Sequence, residues 1–315
     1  MQLIEILVII IYLFLAYIVQ IITHELGHFV FGLMTGYKFI SLRLFGFTIL
    51  KDKEKLIIKK YNLKGSLGQC LMYPPGKDNY KYKLITLGGI IMNVITASIA
   101  VLMIDSQQGI VNMVGLSLIA FYGYGIAIIS ILPSIQLSDG SVLKELKSIK
   151  ARECNRKQLL IARLLMDGYT YKDIPDEIYV VPEGDDLTNS IIAYHKILES
   201  YYYMDKKDWN EAKKVLMDFD KVIDNVPKSI RDIVAAEKMF LALIANSVPF
   251  TESVEIESYL RGNGDINFQR VKTAYYINKN KLEKERAIKN IISFTKNYVY
   301  KGEAIFCLKL LEEIL

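Results

Sequence analysis

His24-Glu25-Leu26-Gly27-His28 sits inside an apolar run from Leu3 to Met34, in which Glu5 and Gln20 are almost the only polar interruptions before it. The two histidines are four residues apart. On a helix they lie one turn from each other on one face, so both imidazoles can reach a single metal ion. Glu25, next to the first, stands close enough to polarise a water held by that metal. Ionisable side chains are costly in lipid, so a His/Glu/His cluster in such a run is a functional site by default. The run also decides the fold class, which is mainly α and membrane-embedded.

Three segments are long and apolar enough to cross a bilayer, at about 3–34, 84–104 and 110–132. The first, as one helix, is about 48 Å long at 1.5 Å per residue. That exceeds a hydrocarbon core of roughly 30 Å, so it tilts or protrudes. Between the first and second spans, residues 37–83 carry eleven Lys or Arg against three acids (Asp52, Glu54, Asp78). Such a block could bind nucleic acid, but between spans it reads as a cytoplasmic loop, and no nucleic-acid partner is expected. The connection Asp105-Ser106-Gln107-Gln108-Gly109 is short and has no basic residue. Positive-inside logic then puts the N-terminus and this turn outside, with the 37–83 loop and the Lys-rich region after Leu143 inside. The metal motif and the segment after the third span meet on the cytoplasmic side.

A mean hydropathy of +0.23 is high for a soluble chain of 315 residues, and the length permits about two domains. Cys70, Cys154 and Cys307 are few, odd in number and far apart. They support neither a disulfide framework nor a cysteine-based zinc site, and suit reduced thiols facing the cytoplasm. The N-terminus lacks the positive n-region and small-residue cleavage site of a signal peptide, and is read as retained.

Residues 1–145 are therefore expected to form a three-span core with a small β insertion. Within the insertion, Phe39–Phe45 and Lys55–Lys60 alternate as short strands. The stretch Gly65–Gly76, with Gly and the Pro74-Pro75 pair, reads as a loop. Residues 150–315 change to mixed-charge amphipathic helices, beginning with an antiparallel pair over Ile191–Tyr203 and Trp209–Phe219. A soluble, all-α cytoplasmic domain follows, made of helical hairpins with a partial likeness to tetratricopeptide helices at Trp209, Ala212 and Leu216. Its aromatic positions, such as Tyr201, Tyr202 and Trp209, suggest recognition of a protein partner.

A catalytic zinc normally takes three protein ligands and a water. His195, the only other histidine, lies in an amphipathic helix of the second region and reads as structural. The third ligand is then a carboxylate or a cysteine. Asp139, in Leu132-Pro133-Ser134-Ile135-Gln136-Leu137-Ser138-Asp139-Gly140, follows the third span on the face of the two histidines. Asp is also a favoured helix cap, here for 140–147. Beside a two-histidine site that lacks a ligand, metal binding is the stronger reading.

Taken together, His24-Glu25-Leu26-Gly27-His28 in a membrane helix, Gly88-Gly89-Ile90-Ile91-Met92-Asn93 in the next span and a Pro133-containing segment ending in Asp139-Gly140 resemble the site-2 protease family of M50-type intramembrane zinc peptidases. The resemblance covers roughly residues 1–145. It implies proteolysis of membrane-embedded or membrane-proximal peptides in a cell membrane, bacterial by type. It also implies zinc on His24, His28 and Asp139, with Glu25 as the base that activates water. Asn93 would lie near the site, either contacting a substrate carbonyl or oxyanion or joining the spans by a hydrogen bond. Gly88 and Gly89 suit close helix packing rather than catalysis. The strands after Tyr37 resemble the family's membrane-associated hairpin, which could take up an unwound substrate by strand addition.

Two departures stand out. Ser130 occupies the place of the family's Asn three residues before the proline, and the spacing from Pro133 to Asp139 is one residue longer. The main alternative is an inactive adaptor with a protease-like core, although such a relic has little reason to keep a charged cluster in lipid. Three spans leave little room for a transporter.

Overall fold

The computed structural model describes residues 3–52, 55–61, 67–76, 81–107, 109–135, 138–180, 186–245, 265–277 and 281–314. Gln136 and Leu137 of the Pro–Asp segment and residues 65–66 of the expected loop lie outside these. The chain divides into two compact units, one of residues 1–45, 49–51 and 66–147, the other of 46–48, 52–65 and 148–315.

In the first unit, α1 (Leu3–Met34), α2 (Tyr82–Ile104) and α3 (Ile110–Ile131) are, among the described residues, the three helices long and apolar enough to span a membrane. Each packs against the other two. The residues that face inward are small, among them Ala16, Gly27, Gly88, Ala97, Ala120, Gly123 and Ala127. Large apolar residues such as Leu102 and Phe121 point outward, being 81% and 70% exposed. This is the reverse of a water-soluble bundle. Lipid gives apolar side chains no reason to turn inward, so small residues that admit close backbone approach win the interface. At Gly27 and Gly88 the two backbones touch so closely that a β-carbon on either would collide with the other's carbonyl.

Helix α1 ends in a Schellman turn. Gly36 takes φ +82°, its N–H reaches Leu33 O at 3.0 Å, and Tyr37 N–H reaches Gly32 O at 2.9 Å. The chain then enters β1 (Lys38–Leu44), β2 (Phe47–Asp52), β3 (Lys55–Lys60) and β4 (Gly68–Tyr73), ordered β3-β2-β1-β4. Phe45 and Gly46, with φ of 50° and 90°, form the two-residue turn that suits the right-handed twist of its strands.

The expected loop over 65–76 is corrected by β4, which pairs antiparallel with β1 from Leu44↔Gly68 to Lys38↔Tyr73. Its alternation supplies the reason. Gly68 and Met72 share one face and lie against α1, at Glu25 and Gly32 respectively. The flanking Gly and Pro residues punctuate the strand rather than break it.

In the second unit, α5 (Ile149–Asp167) is capped by Ser148 and stopped by Gly168 at φ +102°. It is followed, among the described residues, by α6 (Ser190–Asp205), α7 (Trp209–Met217), α8 (Lys228–Ile244) and the helices Ile266–Ile277, Lys281–Asn297 and Lys301–Glu312. The short turn between α6 and α7 packs them together, as the sequence indicates. His195 is fully buried and bonds Ile178 O at 3.0 Å, and burial pushes its pKa down to about 4. It is a structural residue. Tyr201 and Tyr202, expected at a recognition surface, belong instead to the core. Tyr201 packs at a tilt against Tyr171 and Phe306, and Tyr202 stacks on Tyr179 at 4.9 Å. Burying a phenol ring satisfies its apolar body while its hydroxyl finds an acceptor, here Glu237 for Tyr201 at 2.9 Å.

Candidate metal centre

A spacing of four residues sets His24 and His28 on one face of α1, and their Nε2 atoms face each other at 3.2 Å. Asp139 joins them, with Oδ2 3.2 Å from His24 Nε2 and Oδ1 3.5 Å from His28 Nε2. Ligand atoms about 2.0–2.1 Å from a tetrahedral ion lie roughly 3.3 Å from one another, so the spacing is that of three corners of such a site. No other group of three or more His, Cys, Asp or Glu among the described residues is placed to hold a metal ion.

The partners of the outer nitrogens strengthen this. His28 Nδ1 lies 2.8 Å from the backbone carbonyl of Ile85, and His24 Nδ1 lies 3.1 Å from Asn93 Oδ1. Both partners accept only, so each neutral imidazole carries its proton on Nδ1 and turns a lone pair inward from Nε2. Two lone pairs and a carboxylate then converge. Asp139 Oδ2 is buried and receives no hydrogen bond. Such a convergence of acceptors is repulsive in itself and is relieved by a cation.

The surrounding backbone positions each member. A β-carbon at Gly89 would lie 2.6 Å from His24 Nε2, so α2 presents a bare backbone where the imidazole sits. Gly88 and Gly89 thus serve close packing, as expected of them. Asp139 is the first residue of α4 (Asp139–Glu145), and its open alternative as a helix cap goes to its neighbour. Ser138 is the cap, its Oγ accepting from Ser141 N at 3.1 Å and donating to Leu132 O at 2.7 Å. Gly140 packs so tightly on Ile131 O that no side chain fits there. Ser138 therefore ties the end of α3 to the start of α4.

Glu25 projects from α1 toward β4. It is buried, and it is within electrostatic reach of both histidines and Asp139. Its carboxylate rests on β4, where a β-carbon at Gly68 would come 2.5 Å from Oε1. Cys70, two residues along, is partly buried, and burial with the Glu25 charge pushes its thiol up to about 12. It remains a thiol and not a ligand.

Asn93 is fully buried beside His24. Its Nδ2 donates to Gln20 O at 3.2 Å and Gln20 Oε1 at 3.1 Å. Gln20, noted in the sequence only as a polar interruption, is the site residue that pattern reading misses. Its isolation in an apolar helix is the available signal.

Among known proteins, the family model described as Peptidase family M50 matches residues 12–257. No curated protein and no solved structure matches the chain.

Proposed function

This chain belongs to peptidase family M50, the site-2 protease family, and on that premise we propose that it is an intramembrane zinc metallopeptidase. The observation that supports this best is the convergence of His24 Nε2, His28 Nε2 and the Asp139 carboxylate at 3.2–3.5 Å, with each Nδ1 set against an oxygen acceptor on its other side. Two nitrogens and one carboxylate in tetrahedral spacing suit zinc, with a fourth position open. Zinc there supplies Lewis-acid polarisation of water and of the scissile carbonyl.

The protein's own part falls to Glu25 and the sheet. Glu25 takes a proton from the attacking water and returns it to the leaving amine as the C–N bond breaks. A substrate helix must unwind first, because its carbonyls are bonded internally. β4 stands at the edge of the sheet beside Glu25 and offers a template on which an unwound segment can pair. The substrates are membrane-embedded or membrane-proximal peptides. By charge distribution the site and residues 150–315 face the cytoplasm, with the N-terminus outside. Any protein partner of the second unit is met by residues other than Tyr201 and Tyr202.

Glu25→Gln tests the function. It should lower cleavage by at least about 10²–10⁴-fold while the purified protein keeps its zinc, since a base is lost and not a ligand. Membrane proteomics comparing the two forms should show fragments present only with wild type. Fragments that persist unchanged in Glu25→Gln membranes would leave the adaptor reading standing.

A further inference from the structure

Zinc binding makes a demand on His24 that the motif alone does not meet. An imidazole ligates through Nε2 only if its proton is held on Nδ1, and the atom that holds it belongs to a side-chain amide. An amide can present oxygen or nitrogen at nearly the same position. For His28 no such ambiguity arises, because its partner is the backbone carbonyl of Ile85.

Asn93 is oriented by Gln20. Both Nδ2 hydrogens have acceptors on that one residue, its main-chain oxygen at 3.2 Å and its side-chain Oε1 at 3.1 Å. Gln20 is itself an amide, and its orientation is set from α3, where Nε2 donates to the backbone carbonyl of Ile119 at 3.1 Å. Thr96 Oγ1 also lies 3.2 Å from Gln20 Oε1, but its single hydrogen has a nearer acceptor in Met92 O at 3.0 Å, so the orientation rests on the Ile119 bond. The chain of bonds thus begins at a backbone oxygen, which cannot flip, and ends at His24. It crosses all three spans. Gln20 and Asn93 are both fully buried, and a β-carbon at Gly123 would come 3.0 Å from Gln20 Nε2. With both donors on Gln20 and its oxygen on His24, Asn93 has no amide hydrogen left for a substrate oxyanion.

We propose that Gln20 and Asn93 form a buried amide relay that fixes the tautomer and orientation of His24, so that Gln20 is a positioning residue for metal binding 99 residues from the carbonyl that anchors it. The proposal rests on the zinc-peptidase reading and deepens it. An acceptor on the far nitrogen of a metal-bound imidazole typically changes metal affinity by 10- to 100-fold. In lipid the relay has a second effect, because no water can replace a lost partner.

Zinc affinity of the full chain in detergent, measured by competition with a chelating dye, tests the relay directly. Asn93→Leu should weaken zinc binding by about 10- to 100-fold. Gln20→Leu should weaken it by less, about 10-fold, since the main-chain oxygen of residue 20 still holds one amide hydrogen. Asn93→Asp, which keeps an oxygen facing His24 Nδ1, should bind within a few-fold of wild type. Cobalt substitution supplies a second readout, with the intense visible band of a four-coordinate site lost in Asn93→Leu and kept in Asn93→Asp. Helical circular dichroism and the melting temperature identify a variant that has merely lost its fold, and Asn93→Asp against Asn93→Leu then decides on folded protein. Equal zinc affinity in wild type and Asn93→Leu overturns the relay. So does an Asn93→Asp variant as weak as Asn93→Leu, which would assign the effect to the amide donors. A wild-type chain that binds no zinc at all overturns the zinc-peptidase reading itself.

Discussion

His24 and His28 are ordinary imidazoles whose use is decided by what their outer nitrogens touch. With Nδ1 committed to Asn93 Oδ1 and Ile85 O, both inner nitrogens are acceptors, and Asp139 adds a third. Removing any one leaves a two-ligand site. Asp139→Ala should therefore lose both zinc and cleavage, measured as metal content per chain beside fragment yield. Full zinc occupancy in that variant would show that Asp139 is not a ligand. At this scale the amino-acid sequence is largely legible. His24, Glu25 and His28 are recognisable because helix periodicity converts a spacing of four into a shared face. Asp139 needs one further step, the absence of a third ligand among the histidines. Gln20 is legible only as an oddity, because its partners lie 73 and 99 residues away and no local pattern announces them.

The three apolar helices are legible nearly to the residue, since an apolar run of span length has few other fates. The strand β4 is not. Gly68, Pro74 and Pro75 are turn residues by composition, and the pairing that makes residues 68–73 a strand comes from β1, some thirty residues earlier. Its glycine has a local purpose. A methyl group at Gly68 would sit 2.5 Å from Glu25 Oε1, so the carboxylate would have to move. Displacing a catalytic group by an ångström can cost about 100-fold. Gly68→Ala should accordingly cut cleavage by about 10- to 100-fold with zinc content unchanged. A variant with full activity would mean that Glu25 does not work from the position the strand gives it. The aromatic residues of α6 carry the opposite lesson. Tyr201 and Tyr202 are indistinguishable by type from surface anchors, and only their packing against Tyr171, Tyr179 and Phe306 identifies them as core.

For the molecule as a whole, the orientation in the membrane follows from charge alone and needs its own test. The native thiols are poor reporters. Cys154 and Cys307 are buried, and Cys70 is partly buried with its thiol pushed up to about 12. Lys81 is exposed at the start of α2. Lys81→Cys should react with a membrane-impermeant maleimide only in inverted or lysed vesicles. Reaction in intact cells would place the site on the outer face.

The contact between Gly68 and Glu25 has one more consequence for a peptide that pairs along β4. The strand begins at the base and runs away from it to Tyr73, about 20 Å at 3.3 Å per residue. If substrates pair there and Glu25 is the base, as proposed, it is a ruler whose zero mark is the point of cleavage. A peptide laid on it is gauged on one flank only, and the other flank passes beyond the end of the scale. Randomised peptide substrates should accordingly show residue preferences on a single side of the cut. Equal preferences on both sides would mean that the peptide is not measured against this strand.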